Sequence, residues 1–189
     1  MQKVKEKREI FKSFLEIEEG IIEHVGPDGK KHTYSRERLV RDNASCVLIH
    51  HIEKGVFVLT KQFRFAISDF VKEPIMEIMA GKFSEGEEPL EAAIRESEEE
   101  CGYSIKKENI EPIASYYASP GYTTEKYFLY YATVSSEDKV SEGGGLENEN
   151  EYIEVIELPE KELIKMAKEN TLEDSKTLVS ALWFIINKC

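Results

Sequence analysis

An α+β fold follows from three features of the sequence. Short apolar runs with strand character crowd the middle of the chain, helical patterns flank them, and no internal repeat divides the 189 residues. A chain of this length buries one substantial core, so a single main domain with a small appended element is expected.

Residues 13–40 read as an extended segment, a Pro27-Asp28-Gly29 turn and a second extended segment, which predicts an N-terminal β-hairpin element within residues 1–41. Residues 42–189 form the main domain. It opens with "SCVLIHHIEKGVFVLTKQFRF", two apolar strands joined at Glu53-Lys54-Gly55. "EPIMEIMAGKF" is a short strand running into Gly81, and an acidic helix follows. "IEPIASYYASPG" and "EKYFLYYATV" supply strands on either side of a Ser-Pro-Gly turn. "VSSEDKVSEGGGLENENE" is polar, acidic and rich in glycine, so a mobile loop is expected there. "YIEVIELP" returns as a strand, and two helical patterns, "EKELIKMAKEN" and "LEDSKTLVSALWFIINK", close the chain.

Composition excludes several classes. Acidic residues number 37 against 25 basic, a net charge of −12, and no Lys/Arg-rich run tracks a phosphate backbone, so nucleic acid is not an expected partner. The longest apolar runs, "CVLIH" and "ALWFII", fall far short of the roughly 20 residues that cross a bilayer, so no membrane association is expected. "MQKVKEKREIFK" lacks the apolar core of a secretory signal, and the expected setting is cytoplasmic. Cys46, Cys101 and Cys189 have no C-x-x-C spacing and read as reduced thiols. His50 and His51 are neighbours on a strand and point to opposite faces, which reads as partly exposed strand residues rather than a metal pair.

The helix around "EAAIRESEEECGY" carries the densest charge. Pro89 suits its first turn, Glu87, Glu88 and Glu91 suit its N-terminal dipole, and Gly102 suits a C-terminal cap. At about 100° per residue, Leu90, Ile94, Ser97 and Cys101 share one face, the expected core side. Glu96, Glu99 and Glu100 fall opposite, spaced i, i+3, i+4. Like charges at that spacing cost roughly 0.2–0.5 kcal/mol per pair, and only Arg95 intervenes, able to pair with Glu91 or Glu99. A divalent cation would convert this repulsion into binding energy, and hard oxygen ligands favour Mg²⁺ or Mn²⁺ over zinc. By composition alone, a solvated acidic face is an equal alternative.

From Gly81 the chain reads "GKFSEGEEPLEAAIRESEEECGY", matching G-x5-E-x7-R-E-U-x-E-E-x-G-U, where U is bulky and apolar. Gly81, Glu87, Arg95, Glu96, Glu99, Glu100 and Gly102 occupy every fixed position. The segment resembles the signature of the Nudix hydrolases, which cleave nucleoside diphosphates linked to another moiety. Ser97 departs from the usual aliphatic residue, a change that touches packing more than chemistry. "QFRF", "SPGYTTE", "GLENENEYIEV" and "SKTLVSALWF" extend the resemblance from about residue 36 to the C-terminus, toward the subgroup of ADP-ribose pyrophosphatases and a related GDP-mannose hydrolase. Pro120 fits the ADP-ribose branch loosely; Gly143 to Gly145 and "IEVIELP" lean toward the GDP-mannose relative.

The resemblance implies an α/β/α sandwich with a mixed sheet, and a homodimer in which the N-terminal element contributes to both dimerisation and substrate contact. It implies metal ligation by Glu96, Glu100, the Ala80 carbonyl and Glu151, with Glu99 and Arg95 supporting the cluster. Glu149 matches the general base, Arg64 and Glu125 match residues that hold the diphosphate and terminal sugar, and Arg36 matches a phosphate-binding arginine. The implied reaction is Mg²⁺-dependent hydrolysis of ADP-ribose to AMP and ribose 5-phosphate, with GDP-mannose or another nucleoside diphosphate sugar as the alternative substrate. The chemistry needs such groups because a P–O–P link repels hydroxide and its leaving phosphate gathers further charge. Bland alternatives stand beside each residue: Glu149 and Glu151 as solvating loop residues, Arg64 as a rim ion pair, Glu125 as a turn cap. Two classes remain: a non-catalytic nucleotide-sugar-sensing module, which an intact set of charged positions disfavours, and an enzyme acting on dinucleoside polyphosphates or oxidised nucleotides.

Overall fold

The structure, a computed structural model, describes residues 2–84, 86–145 and 152–189. Contacts divide the chain into two compact units, Met1–Asn43 with Tyr116–Lys126, and Ala44–Ser115 with Tyr127–Cys189.

In the first unit, β1 (Gln2–Lys12), β2 (Glu16–Val25) and β3 (Lys31–Val40) form an antiparallel sheet with β2 in the middle. The β2–β3 hairpin is the one the Pro-Asp-Gly signal predicts. Gly29 N–H donates to the Gly26 carbonyl at 3.0 Å, and Lys30 N–H to the Asp28 carboxylate at 3.0 Å. Strand β1 is an addition to that expectation. "QKVKEKREIFK" has no clean alternation to mark a strand and is exposed throughout; it forms on the ladder edge that β2 offers, reinforced by cross-strand pairs such as Arg8–Glu19 at 2.6 Å. The Ser-Pro-Gly segment clusters with these strands and not with the residues that flank it. Leu39 N–H donates to the Tyr122 carbonyl at 2.7 Å, Thr124 N–H to Leu39 at 3.0 Å, and Arg41 N–H to Thr124 Oγ1 at 2.8 Å.

The second unit is built on a mixed sheet. Strands β4 (Ala44–His51), β5 (Val56–Gln62), β8 (Ile110–Tyr117), β9 (Lys126–Val134) and β10 (Glu154–Pro159) run in the order β10-β5-β4-β9-β8. The predicted strand before Gly81 is two short ones, β6 (Ile75–Glu77) on β5 and β7 (Met79–Lys82) on β4. Helices α1 (Pro89–Cys101), α2 (Glu160–Glu169) and α3 (Ser175–Asn187) complete the unit.

The histidine expectation is half right. His50 and His51 do point to opposite faces, but both are buried. His50 packs on Phe57 and on Phe184 of α3, and donates to or accepts from Tyr131 Oη at 2.8 Å; His51 meets Tyr103 edge-on. Both faces of β4 are covered, so the period-two pattern that exposes alternate residues of an open sheet does not operate here. Burial lowers the pKa of His50, with Glu160 opposing that shift. The core on the α1 side joins Val47, Ile49, Met79, Ala93, Cys101 and Tyr130.

The described part of the segment expected as a mobile loop packs against its own unit. Ser136–Asp138 is a 3₁₀ turn closed by a Ser135/Asp138 capping box, and the chain then lies against the end of α1. Val140 N–H donates to the Gly102 carbonyl at 2.8 Å and Gly144 N–H to Glu100 at 2.8 Å.

Candidate active site

Helix α1 starts and stops as its sequence predicts, with Pro89 in the first turn and Gly102 left-handed at the C-cap (φ 77°). Its faces differ from the expectation. The buried side runs through Ala92, Ala93, Ser97, Glu100 and Cys101, while Leu90 and Ile94 lie half-buried at its margin. Alanines let the helix approach the sheet closely, and Glu100 turns inward, its carboxylate accepting a long 3.4 Å bond from the Ala80 N–H. Ser97 sits at the core position and its hydroxyl donates to the Ala93 carbonyl at 2.7 Å, so the polar substitution leaves its donor satisfied.

Arg95 answers the question of like charge. Its Nε and Nη2 donate to Glu87 at 2.9 Å, and its Nη1 to Glu96 at 2.9 Å and Glu99 at 2.8 Å. Nη2 also reaches the Lys82 carbonyl at 3.0 Å. The sequence reading foresees the Glu99 pair; Glu91 instead reaches Lys107, and the missed partner is Glu87, eight residues back and off the helix. Hydrogen bonding to Arg95 pulls the Glu87 carboxyl down to about 2, and the same bond holds the guanidinium above its ordinary range.

Gly81, on β7, lies under Glu96. A Cβ built there would overlap the Glu96 Cδ, Cγ and Oε2, so a hydrogen is all this position accommodates with the carboxylate where it is. Glu96 and Glu100, one turn apart on α1, are thereby seated against the adjacent β7 residues Gly81 and Ala80, and their carboxylates are hard oxygen donors. Glu96 and Glu100 keep only 14% and 6% exposure, the first for its side chain and the second for the residue. That donor chemistry fits Mg²⁺ or Mn²⁺ and does not suit a soft ion. Among the described residues no three Asp, Glu, His or Cys side chains converge as a full ligand set. The expected set has two described carboxylates, a backbone carbonyl and Glu151; both Glu151 and Glu149 lie outside the described residues.

In the same unit Arg64 precedes a 3₁₀ turn and pairs with Glu77, Nε and Nη2 both donating to Oε2 at 2.7 Å. Sequence reasoning passed over Glu77 together with Lys176 and Asp174, which are buried beside it. The available signal was Asp174-x-Lys176-Thr177, an N-cap residue followed by a lysine where the helix turns apolar.

The other expected substrate residues belong to the first unit. Arg36 and Pro120 line a cleft of about 750 Å³, together with Tyr117, Tyr122 and Lys126. This volume suits a nucleotide-sized ligand. Arg36 lies over the Tyr34 ring at 4.6 Å and Lys126 over Tyr117 at 5.8 Å; Tyr117 and Tyr122 are more than half exposed. Glu125 belongs to the same segment but does not line the cleft; its N–H donates to Thr123 Oγ1 at 3.2 Å.

Comparison with known proteins finds a match to the NUDIX domain over residues 40–179. The ADP-ribose pyrophosphatase of Bacillus subtilis (strain 168) is 32% identical over 151 residues, spanning 80% of this chain and 75% of that protein. The GDP-mannose pyrophosphatase of Cronobacter sakazakii (strain ATCC BAA-894) is 32% identical over 154 residues, 80% of this chain and 78% of that one. The methanol dehydrogenase activator of Bacillus methanolicus is 34% identical over 146 residues, 77% and 74% of the two chains. A crystal structure of an ADP compounds hydrolase shares the fold with a TM-score of 0.73 at 16% identity, covering 99% of this chain and 96% of the other.

Proposed function

Because this chain belongs to the Nudix family, we propose that it hydrolyses the pyrophosphate link of a nucleoside diphosphate sugar, with ADP-ribose as substrate and AMP and ribose 5-phosphate as products. The observation that carries the reading is the seating of Glu96 over Gly81 with Glu100 turned in beside Ala80, two largely buried carboxylates one helical turn apart against adjacent residues of β7.

Glu96, Glu100, the Ala80 carbonyl and Glu151 are the proposed holders of Mg²⁺ (Mn²⁺ as substitute), which supplies charge neutralisation at the diphosphate and acidifies water. Arg95 and Glu99 keep the cluster in place, Arg95 by tying Glu87, Glu96 and Glu99 to one guanidinium. Glu149 takes a proton from the attacking water, whose oxygen bonds to one phosphorus as that phosphorus releases the bridging oxygen; a positioned base contributes about 10² to 10⁴ in rate. Arg64, with Nη1 turned away from Glu77, contacts the diphosphate, Arg36 contacts a phosphate, Glu125 the terminal sugar, and Pro120 is a further substrate contact. Within the first unit, the aromatic and cationic lining of the Arg36–Pro120 cleft supports a nucleotide contact there.

GDP-mannose is the second reading. A GDP-mannose pyrophosphatase matches this chain at the same 32% identity as the ADP-ribose enzyme, and the triple glycine at 143–145 leans the same way. We further propose a cytoplasmic homodimer in which residues 1–41 mediate pairing. The exposed Val4, Ile10, Phe11 and Phe14 support the pairing. A monomeric mass by light scattering at micromolar concentration would remove the dimer from the proposal.

The deciding experiment separates products by chromatography after incubation with Mg²⁺ and, in turn, ADP-ribose, GDP-mannose, UDP-glucose and a dinucleoside polyphosphate, with Glu100→Gln as control. The expected result is AMP from ADP-ribose, abolished in the control. GMP from GDP-mannose alone selects the second reading, and no turnover of any compound despite metal binding leaves the sensing module in its place.

A further inference from the structure

Beneath the Arg64 side chain the second unit buries a charge network that the reaction described above does not use. Glu77 is 4% exposed and both of its oxygens are engaged: Oε2 by Arg64 Nε and Nη2, and Oε1 by Lys176 Nζ at 3.2 Å. Lys176 is 6% exposed, donates to Asp174 at 2.6 Å and lies over the Tyr127 ring at 5.4 Å. Asp174 is the N-cap of α3, accepting from the Thr177 N–H at 2.9 Å and its hydroxyl at 2.7 Å. Thr177 Oγ1 in turn accepts the Ile78 N–H at 2.8 Å. The first turn of α3 therefore holds two successive residues of one strand connection, Glu77 by its side chain and Ile78 by its backbone.

Such a network is an expensive way to stabilise a fold, since dry ion pairs are commonly replaced by apolar side chains without loss. What it does supply is direction. A carboxylate held only by Arg64 would leave its second oxygen buried without a donor and its plane free to turn. With Lys176 on Oε1, the plane of Glu77 is set, and the Nε/Nη2 edge of Arg64 is set with it. The guanidinium is then pre-aligned, with Nη1 pointing away from the pair; among the described residues no hydrogen bond engages Nη1. An arginine oriented in advance gives up less rotamer freedom on meeting an oxyanion. Burial opposes the charge on Lys176, but Asp174 and Glu77 outweigh it and raise the ammonium pKa, so Lys176 stays charged at neutral pH.

We infer that Lys176 is a positioning residue that acts through Glu77 to aim Arg64 at the substrate diphosphate, an inference that rests on the reading of Arg64 given above. Neither Lys176 nor Glu77 touches substrate. The reach of Lys176 is the length of a two-step relay: ammonium to carboxylate, carboxylate to guanidinium.

The test compares Arg64→Ala, Lys176→Met, Glu77→Gln and the two double variants containing Arg64→Ala, measuring kcat and KM separately with ADP-ribose and, in parallel, GDP-mannose, in Mg²⁺. Lys176→Met keeps side-chain length while removing charge, and Glu77→Gln keeps shape; should the methionine variant not fold, the glutamine variant carries the same comparison. Each single variant is expected to raise KM about tenfold with a much smaller change in kcat, and Lys176→Met or Glu77→Gln to add less than about twofold once Arg64 is alanine. Losses that multiply in full would show that Lys176 acts on general stability and overturn the inference. So would an Arg64→Ala loss that neither partner variant reproduces. If Arg64→Ala alone leaves both constants unchanged while turnover itself persists, the assignment of Arg64 fails and the relay with it, whereas an enzyme with no turnover on either compound indicts the proposed reaction.

Discussion

Replacing Gly81 by alanine should disable the site while leaving the protein folded. Gly81 lies in β7 opposite Ser45 of β4, and its φ is outside the left-handed region, so alanine is acceptable to the backbone. The three atoms nearest the new methyl group all belong to the Glu96 side chain. Restoring ordinary van der Waals separation requires the carboxylate to withdraw by about 1.5 Å. Glu96 Oε1 then leaves Arg95, a partly exposed pair of at most about 1 kcal/mol, and Arg95 keeps Glu87 and Glu99. Unfolding free energy should therefore fall by no more than about 1.5 kcal/mol, the sum of that pair and a modest rotamer cost. Displacement of about 1 Å at a catalytic group costs on the order of 10² in rate, and a similar loss is expected in kcat/KM, accompanied by a higher Mg²⁺ requirement. Denaturant unfolding without metal and steady-state kinetics across a Mg²⁺ titration read the two effects separately. Undiminished kcat/KM would refute the placement of Glu96 in the site; a loss of stability above about 3 kcal/mol would refute the claim that only a side chain has to move.

Two further substitutions probe the frame around that cluster. Glu87 has its carboxyl depressed to about 2 by Arg95, so its contribution is present above the ordinary value of 4.5 and is lost as pH falls from there toward 2. Glu87→Gln should cost roughly 1–2 kcal/mol at pH 7, discounted for the solvent at the one-third-exposed Arg95, and the difference from the parent should vanish near pH 2. A pH-independent gap between the two unfolding curves would count against the ion pair as its cause. Gly143→Ala should be the harsher change: φ is 70° and its Cβ would overlap the Glu100 carbonyl oxygen and Cys101 backbone. A cost of about 2–4 kcal/mol is expected from the left-handed strain plus that backbone collision, and thermal unfolding unchanged from the parent would show that the loop root moves freely.

How far the sequence could be read depended on the range of the interaction that specifies each feature. Helix α1 is signalled at its ends by Pro89 and Gly102, and the signature residues converge because this helix, strand β7 and the short connection between them carry them all. Faces of α1 were less legible. A helical wheel assigns Leu90 and Ile94 to the core and the acids to water, yet Glu100 goes inward because the Ala80 N–H and the packing of Ala92 and Ala93 lie across the chain from it. The same reason hides β1, whose strand state depends on β2, and the burial of His50 and His51, which depends on what covers each face of β4. Glu77 and Lys176 are the extreme case: 99 residues separate them, and each alone reads as a surface charge.

Distance along the chain also explains why Arg95 is enough. Five glutamates crowd residues 91–103 and one arginine opposes them, which on a helical wheel looks unsustainable. The tally changes once Glu87 and the Lys82 carbonyl are brought under the guanidinium, because Arg95 then uses Nε, Nη1 and Nη2 to bind acceptors from both ends of the β7–α1 connection. The acids thereby fall into distinct groups. Glu87, Glu96 and Glu99 are gathered on Arg95, Glu91 reaches Lys107, Glu98 faces water, and Glu100 turns to Ala80. Repulsion on the helix is relieved by an arginine that also fixes where Glu96 stands, so the charge that permits the cluster to fold is the charge that sets its geometry.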